Sequence, residues 1–192
     1  MAYTIGTRNA ILLLAIVLMI FFLLPKGYYN LYPSLIPTYP PNHIELQEVW
    51  KARNELNQNA ELKQFFYRTD PSVVYAFYDE FNISLEKLIN ITSSVSVISL
   101  IYLLKYIHNR RRPSQLDSRI ALDSKTADTP SYPSGHAYQA YLIARELSKE
   151  RPELKEKLMK VADKCAYARV AAGLHYPSDS EYSKWLVFGN EV

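Results

Sequence analysis

Ser131-Tyr132-Pro133-Ser134-Gly135-His136 stands directly ahead of an apolar-periodic run made of Ala137, Tyr141, Leu142, Ala144 and Leu147. A proline, a small hydroxyl residue and a glycine at that place read as a turn closing on a helix N-terminus, with Ser134 as its N-cap. The first backbone N–H groups of such a helix have no internal partner and carry the positive end of its dipole. They offer a seat for an anion, with His136 beside it as a proton donor. A capped helix with a surface histidine fits the same letters, and only the rest of the chain can decide between the two.

The helical period recurs on both sides of this stretch. Leu46, Val49, Trp50 and Leu56 mark one stripe between Asn42 and Asn57, and Leu62, Phe65 and Phe66 a shorter one. Thr69-Asp70-Pro71 reads as an N-cap with proline at the first helical position, opening a helix that turns Val73, Val74, Phe77, Tyr78 and Phe81 inward. Leu85, Leu88 and Ile89 continue the pattern. Val95 to Ile107 is apolar nearly all round, which suits either a second membrane span or a buried central helix. Polar Thr92, Ser93 and Ser94 at its start and Lys105 near its end favour the buried helix. Glu153 to Ala172 is the clearest helix, opened by Pro152 and stopped by Gly173. No strand-length alternating segment stands out. The expected fold is all-α, a single helical bundle.

At 192 residues the chain fits one domain, and a net charge of +3 is too small and too dispersed to argue for nucleic acid. Arg110 and Arg111 read as a solvated helix end. Cys165 is the only cysteine, which excludes an intramolecular disulfide and a cysteine zinc site, and its neighbours Val161, Ala162 and Val170 make it a small core residue. Ala10 to Leu24 is an unbroken run of 15 apolar residues preceded by Arg8. No small-residue cleavage site follows it, so residues 1–27 read as an uncleaved signal-anchor in preference to a cleaved signal peptide. Residues 28–41 are a spacer crowded with Pro33, Pro37, Pro40 and Pro41, and 42–192 form the domain, expected on the outer side of the membrane or secreted.

Two further clusters carry chemistry. Lys105-x6-Arg112-Pro113 places two cations about two helical turns apart, on one face if the helix runs that far, with Pro113 ending it at Arg112. A basic helix end is the plainer reading. In Arg169-x5-His175-x3-Asp179 the histidine falls in a short connection, and Pro177 opens a helix that carries Asp179 in its first turn. That carboxylate reaches back to His175, fixes its tautomer and raises its basicity, although a plain His–Asp cap pair has the same spacing. Taken together, Lys105, Arg112 and Arg169 suit a phosphate dianion. His175 then attacks phosphorus and becomes a phosphohistidine. His136 protonates the leaving alkoxide and later activates the water. No metal and no cofactor is called for.

These three motifs resemble the signature of the type 2 phosphatidic acid phosphatase and haloperoxidase superfamily. Within it, Ser131 to His136 and the single clear N-terminal apolar segment are most similar to the bacterial class A non-specific acid phosphatases. The resemblance, specific from about Lys105 to Asp179, implies an all-helical fold, export, and a metal-free acid phosphatase that often also transfers phosphoryl groups. It assigns phosphate binding to Lys105, Arg112, Ser134, Gly135 and Arg169, acid catalysis to His136, the nucleophile to His175 and its orientation to Asp179. The implied partners are a small phosphorylated substrate and, through the N-terminal helix, a membrane. An integral lipid-phosphate phosphatase, a vanadate-dependent haloperoxidase and a catalytically weak anion-binding relative are the alternatives. The chain departs from the family where Ala168 replaces the usual serine before Arg169, in lacking the cysteines of secreted relatives, and in having only 13 residues after Asp179.

Overall fold

The computed structural model describes residues 39–120, 124 and 126–189. The apolar run at 10–24 and nearly all of the spacer lie outside them. The apolar periodicity becomes helix α1 (Asn42–Gln58), α2 (Ala60–Thr69), α3 (Val74–Phe81), α4 (Leu85–Thr92) and α5 (Val95–His108). A one-turn helix α6 (Pro113–Leu116) follows, then α7 (Gly135–Glu150), α8 (Lys155–Ala171) and α9 (Pro177–Phe188). Among the described residues there is no strand, so the fold is all-α. Short polar side chains punctuate it as N-caps: Asn59, Ser84, Ser94 and Ser134 accept from the backbone N–H of Leu62, Lys87, Val97 and Ala137.

Helices α7 and α8 pack along each other at the centre, with α9 against α7 and α1, α2 and α3 against α8. Phe77, Leu88, Ile143, Leu147, Leu158 and the thiol of Cys165 fill one apolar cluster. Val49, Leu56, Phe66, Ile120 and Leu174 fill a second. The C-terminal ends of α5 and α8 meet the N-terminal ends of α7 and α9, and the candidate site lies at that junction.

Four sequence expectations need correction. Helix α5 is peripheral, not central: Val95 is 78 % exposed, Leu103 45 %, and only Ile101, Lys105, Tyr106 and His108 are buried. It bends 47° away from α4, so one side alone reaches the core. No single described helix is long and apolar enough to cross a membrane, although the bent α4–α5 pair passes by length and composition together. Helix α5 also ends at His108 and not at Arg112, because Asn109 turns left-handed (φ 45°) and returns its N–H to the Lys105 carbonyl. Arg112 is extended, as Pro113 requires (φ −74°, ψ 155°). Thr69-Asp70-Pro71 opens no helix; Thr69 ends α2, α3 begins at Val74 with Tyr78 on its exposed side, and the Asp70 carboxylate is engaged by Arg169. The closing helix α9 has 12 residues, so the short tail after Asp179 does not curtail it.

Leu158→Ala removes a fully buried α8 side chain and should cost about 2–5 kcal/mol by urea unfolding. Leu103→Ala on the outer side of α5 should stay within about 0.5 kcal/mol. Equal costs would return α5 to the core.

Candidate active site

Helix α5 delivers Lys105 in its last turn, where a cation suits the carbonyl end of the dipole. Its buried Nζ donates to the carbonyls of Pro130 (2.6 Å) and Ser131 (3.4 Å). Arg112 is buried in the extended step before Pro113. Its Nε donates to the Thr129 carbonyl (2.7 Å), and one terminal nitrogen donates to the Leu174 carbonyl (2.7 Å) and to His175 Nε2 (3.3 Å). Neither cation forms an ion pair with a carboxylate among the described residues. Burial, and then the charge of Arg112, lowers the Lys105 pKa well below its ordinary value. Burial and then Arg169 lower Arg112 to about 10. Two cations this buried and this poorly balanced define an anion site.

Both border a cavity of about 280 Å³, together with Gly135, His136 and His175. Thr126, Asp128 and Thr129 give it a polar side. Val97, Ile98, Ile101 and Tyr102 of α5 form an apolar wall opposite.

Hydrogen bonds fix the tautomer of each histidine. Arg112 donates to Nε2 of His175, so that nitrogen holds a lone pair, while Nδ1 donates to Asp179 Oδ2 at 3.1 Å. Burial, then Arg112, depresses the His175 pKa well below its ordinary value, which keeps the ring neutral. His136 has the opposite arrangement: Nε2 donates to the Asp70 carbonyl at 2.8 Å, leaving Nδ1 without that partner. Burial and then Arg169 push its pKa down to about 3.

Asp179 sits behind His175, fully buried. Besides the imidazole it accepts from the Tyr176 N–H (2.9 Å), the Ser131 hydroxyl and Arg110 (2.6 Å). Burial alone would raise its pKa; the Arg110 charge and the bonds from His175 and Ser131 outweigh burial and hold it well below the usual carboxylate range. Arg110 is therefore no solvated helix end. It is 1 % exposed, between Asp179 and Glu45, which corrects the sequence reading.

Apart from Asp179, which sits behind His175, the predicted site residues fall into three groups. Lys105, Arg112, Gly135, His136 and His175 line the cavity. Arg169 stands just outside the lining: it pairs with Asp70 (2.6 Å) and donates to the hydroxyl of Thr126, which does line it. Ser134 is buried, with its hydroxyl capping α7, so its contribution is the helix start and not a lining group. Ala168 packs in the second apolar cluster. Sequence reasoning missed Asp70, whose carboxylate holds Arg169 and whose carbonyl holds His136, and it missed Glu45. No spacing rule marks either one; the need to compensate a buried arginine is the only signal.

The sequence profile of the PAP2 superfamily matches residues 87–187, which is 101 of the 192 residues and includes all eight predicted site residues. No curated protein matches the chain.

Both histidines have folded pKa values below the unfolded value of about 6.5, so each contributes stability that is present above that pH and is lost as pH falls. Between pH 6.5 and 5 the empty protein should lose about 1.5 kcal/mol through His136, with a further loss of the same sign through His175. Thermal melts should show this loss, its partial recovery with inorganic phosphate, and a flatter pH profile in His136→Gln. A pH-independent melt over that range would contradict the burial of both neutral rings.

Proposed function

Because the chain belongs to the PAP2 superfamily, whose members cleave phosphoesters, we propose that it hydrolyses phosphate monoesters through a phosphohistidine at His175. One observation carries this reading: two buried, unpaired cations and the Nε2 lone pair of a carboxylate-held histidine share one cavity.

An ester phosphate takes over the donors of Lys105 and Arg112 and the free N–H groups at the start of α7. Arg112 then leaves the His175 lone pair, and Nε2 attacks phosphorus in line. The P–O bond to the leaving group breaks, and His136 gives that oxygen its proton. The imidazolium formed on His175 is stabilised through Nδ1–H by the Asp179 anion. In the second half His136 takes a proton from water, the oxygen attacks phosphorus, and the P–N electrons return to His175. The charge on the equatorial oxygens is met by Lys105, Arg112 and the nearby Arg169, so no metal is needed in any step.

Within this reading we favour an acid phosphatase acting on small phosphorylated substrates. His136 titrates at about 3 in the empty site, so its acid form becomes more available as pH falls. A bound dianion offsets the Arg169 and Lys105 charges and raises that value toward the working range. The N-terminal apolar run supports an exported, membrane-anchored placement. A second reading, lipid-phosphate hydrolysis, is favoured by the apolar α5 wall of the cavity and by the exposed Val95, Leu100 and Leu103 on the same helix.

The full chain in mild detergent with EDTA should hydrolyse p-nitrophenyl phosphate, and His175→Ala should reduce kcat by on the order of 10⁴-fold or more. A requirement for added metal, or activity surviving in the variant, contradicts the mechanism. Phosphatidic acid in mixed micelles as the far better substrate would select the second reading.

A further inference from the structure

Arg110 uses all three guanidinium nitrogens without touching the cavity. Its Nε donates to Asn42 Oδ1 (2.9 Å). One terminal nitrogen donates to Asp179 Oδ1 (2.6 Å) and Ser178 Oγ (2.7 Å), the other to Glu45 Oε2 (2.5 Å) and, at 3.5 Å, the Pro40 carbonyl. The plane lies between two tyrosine rings, with its centre 4.1 Å from the ring of Tyr39 and 3.9 Å from that of Tyr176. Glu45 is itself fixed to the start of α9, accepting from the Ser178 N–H and hydroxyl. Helix α1, the α5–α6 connection and α9 are thereby joined through one cation.

We propose that Arg110, clamped by Glu45 and by the rings of Tyr39 and Tyr176, is a positioning residue that sets the orientation and the charge of Asp179 and, through it, the nucleophilicity of His175. The proposal rests on the reading of His175 as the nucleophile.

The reason lies in how Asp179 divides its oxygens. Oδ2 serves His175, Ser131 and the Tyr176 N–H, whereas Oδ1 is held by Arg110. Remove that donor and a fully buried carboxylate oxygen loses its bond. The carboxylate is then held through Oδ2 alone, its plane is less tightly fixed, and the bond that aims Nε2 loosens with it. The Arg110 charge is also the largest influence holding Asp179 ionised, ahead of His175 and Ser131. The other charges around Asp179 are His175 in its own connection, Lys105 and Arg112 across the cavity, and Glu45 on α1 behind Arg110. Lysine at 110 has no planar fork and cannot stack between the rings while serving two carboxylates.

The test uses the full chain with Arg110→Lys, Arg110→Gln and the isosteric Glu45→Gln, the last covering the case in which the arginine variants fail to fold. Orienting partners of this kind are worth on the order of 10–100-fold in activity. Arg110→Lys should lower kcat for p-nitrophenyl phosphate by that factor with little change in KM, and Glu45→Gln should lower it less. Asp179 should titrate higher in Arg110→Lys and highest in Arg110→Gln, so the acid limb of kcat moves to higher pH there, whereas Glu45→Gln removes a neighbouring anion and should not move that limb upward. Proton NMR supplies a readout that does not depend on turnover: the His175 Nδ1–H resonance, identified by its loss in His175→Gln, should move or broaden in both variants. A lower melting temperature with kcat, acid limb and resonance all as in wild type would mean a structural role only and overturns the proposal. An altered resonance in variants of a wild-type chain that hydrolyses no phosphomonoester would refute the proposed function and leave the clamp standing.

Discussion

Two buried cations that form no direct ion pair among the described residues, and that are only partly offset by the charges of Asp179 and Asp128, are the constraint on which the rest of the structure depends. The donors of Lys105 and Arg112 are met by the carbonyls of Thr129, Pro130, Ser131 and Leu174, all of which belong to the connections into α7 and α9. Carbonyl oxygens satisfy donors but cancel only part of a charge, so the empty site is electrostatically incomplete. The core elsewhere has ordinary means of stability: apolar clusters, side-chain caps and a long α7–α8 contact. The site departs from them in one direction only, toward an anion. In the proposed function, that incompleteness is what an ester phosphate fills.

Around that constraint the two histidines are differentiated by their hydrogen-bond partners and not by residue type. A guanidinium facing Nε2 and a carboxylate facing Nδ1 leave His175 neutral with its lone pair toward the cavity. A backbone carbonyl on Nε2 and neighbouring cations leave His136 a weak base that gives up a proton readily. In the proposed mechanism, nucleophile and acid differ by their surroundings, so one side-chain type can fill both roles.

Much of this was legible in the sequence. Ser134 as a cap, Gly173 as a stop, Pro177 opening a helix and the His175-x3-Asp179 spacing all follow from rules confined to a few consecutive residues, and the structure follows them. Apart from the early end of α5 at Asn109, the failures were non-local. Asp70 carries a local capping signal, yet its carboxylate goes to Arg169, 99 positions away, because a buried guanidinium outbids an exposed helix start. Arg110 sits in a basic triplet that looks like a solvated helix end, and its burial depends on Glu45 of α1 and on Tyr39 just before that helix. Helix α5 is apolar enough for a core, but apolarity does not say which neighbours will cover it. Part of its surface lines the cavity and part faces outward.

The central claim, that His175 Nε2 forms the covalent intermediate, is tested most directly by trapping it. The full chain is mixed with a phosphomonoester and quenched in base, where phosphohistidine survives and acyl phosphate does not. Peptide mass spectrometry and ³¹P NMR then locate the phosphoryl group. The account predicts a single phosphohistidine, at Nε2 of His175, absent when the substrate is allowed to run out before the quench. A phosphoryl group on His136, on a serine or on no residue of a chain that turns over substrate would contradict it.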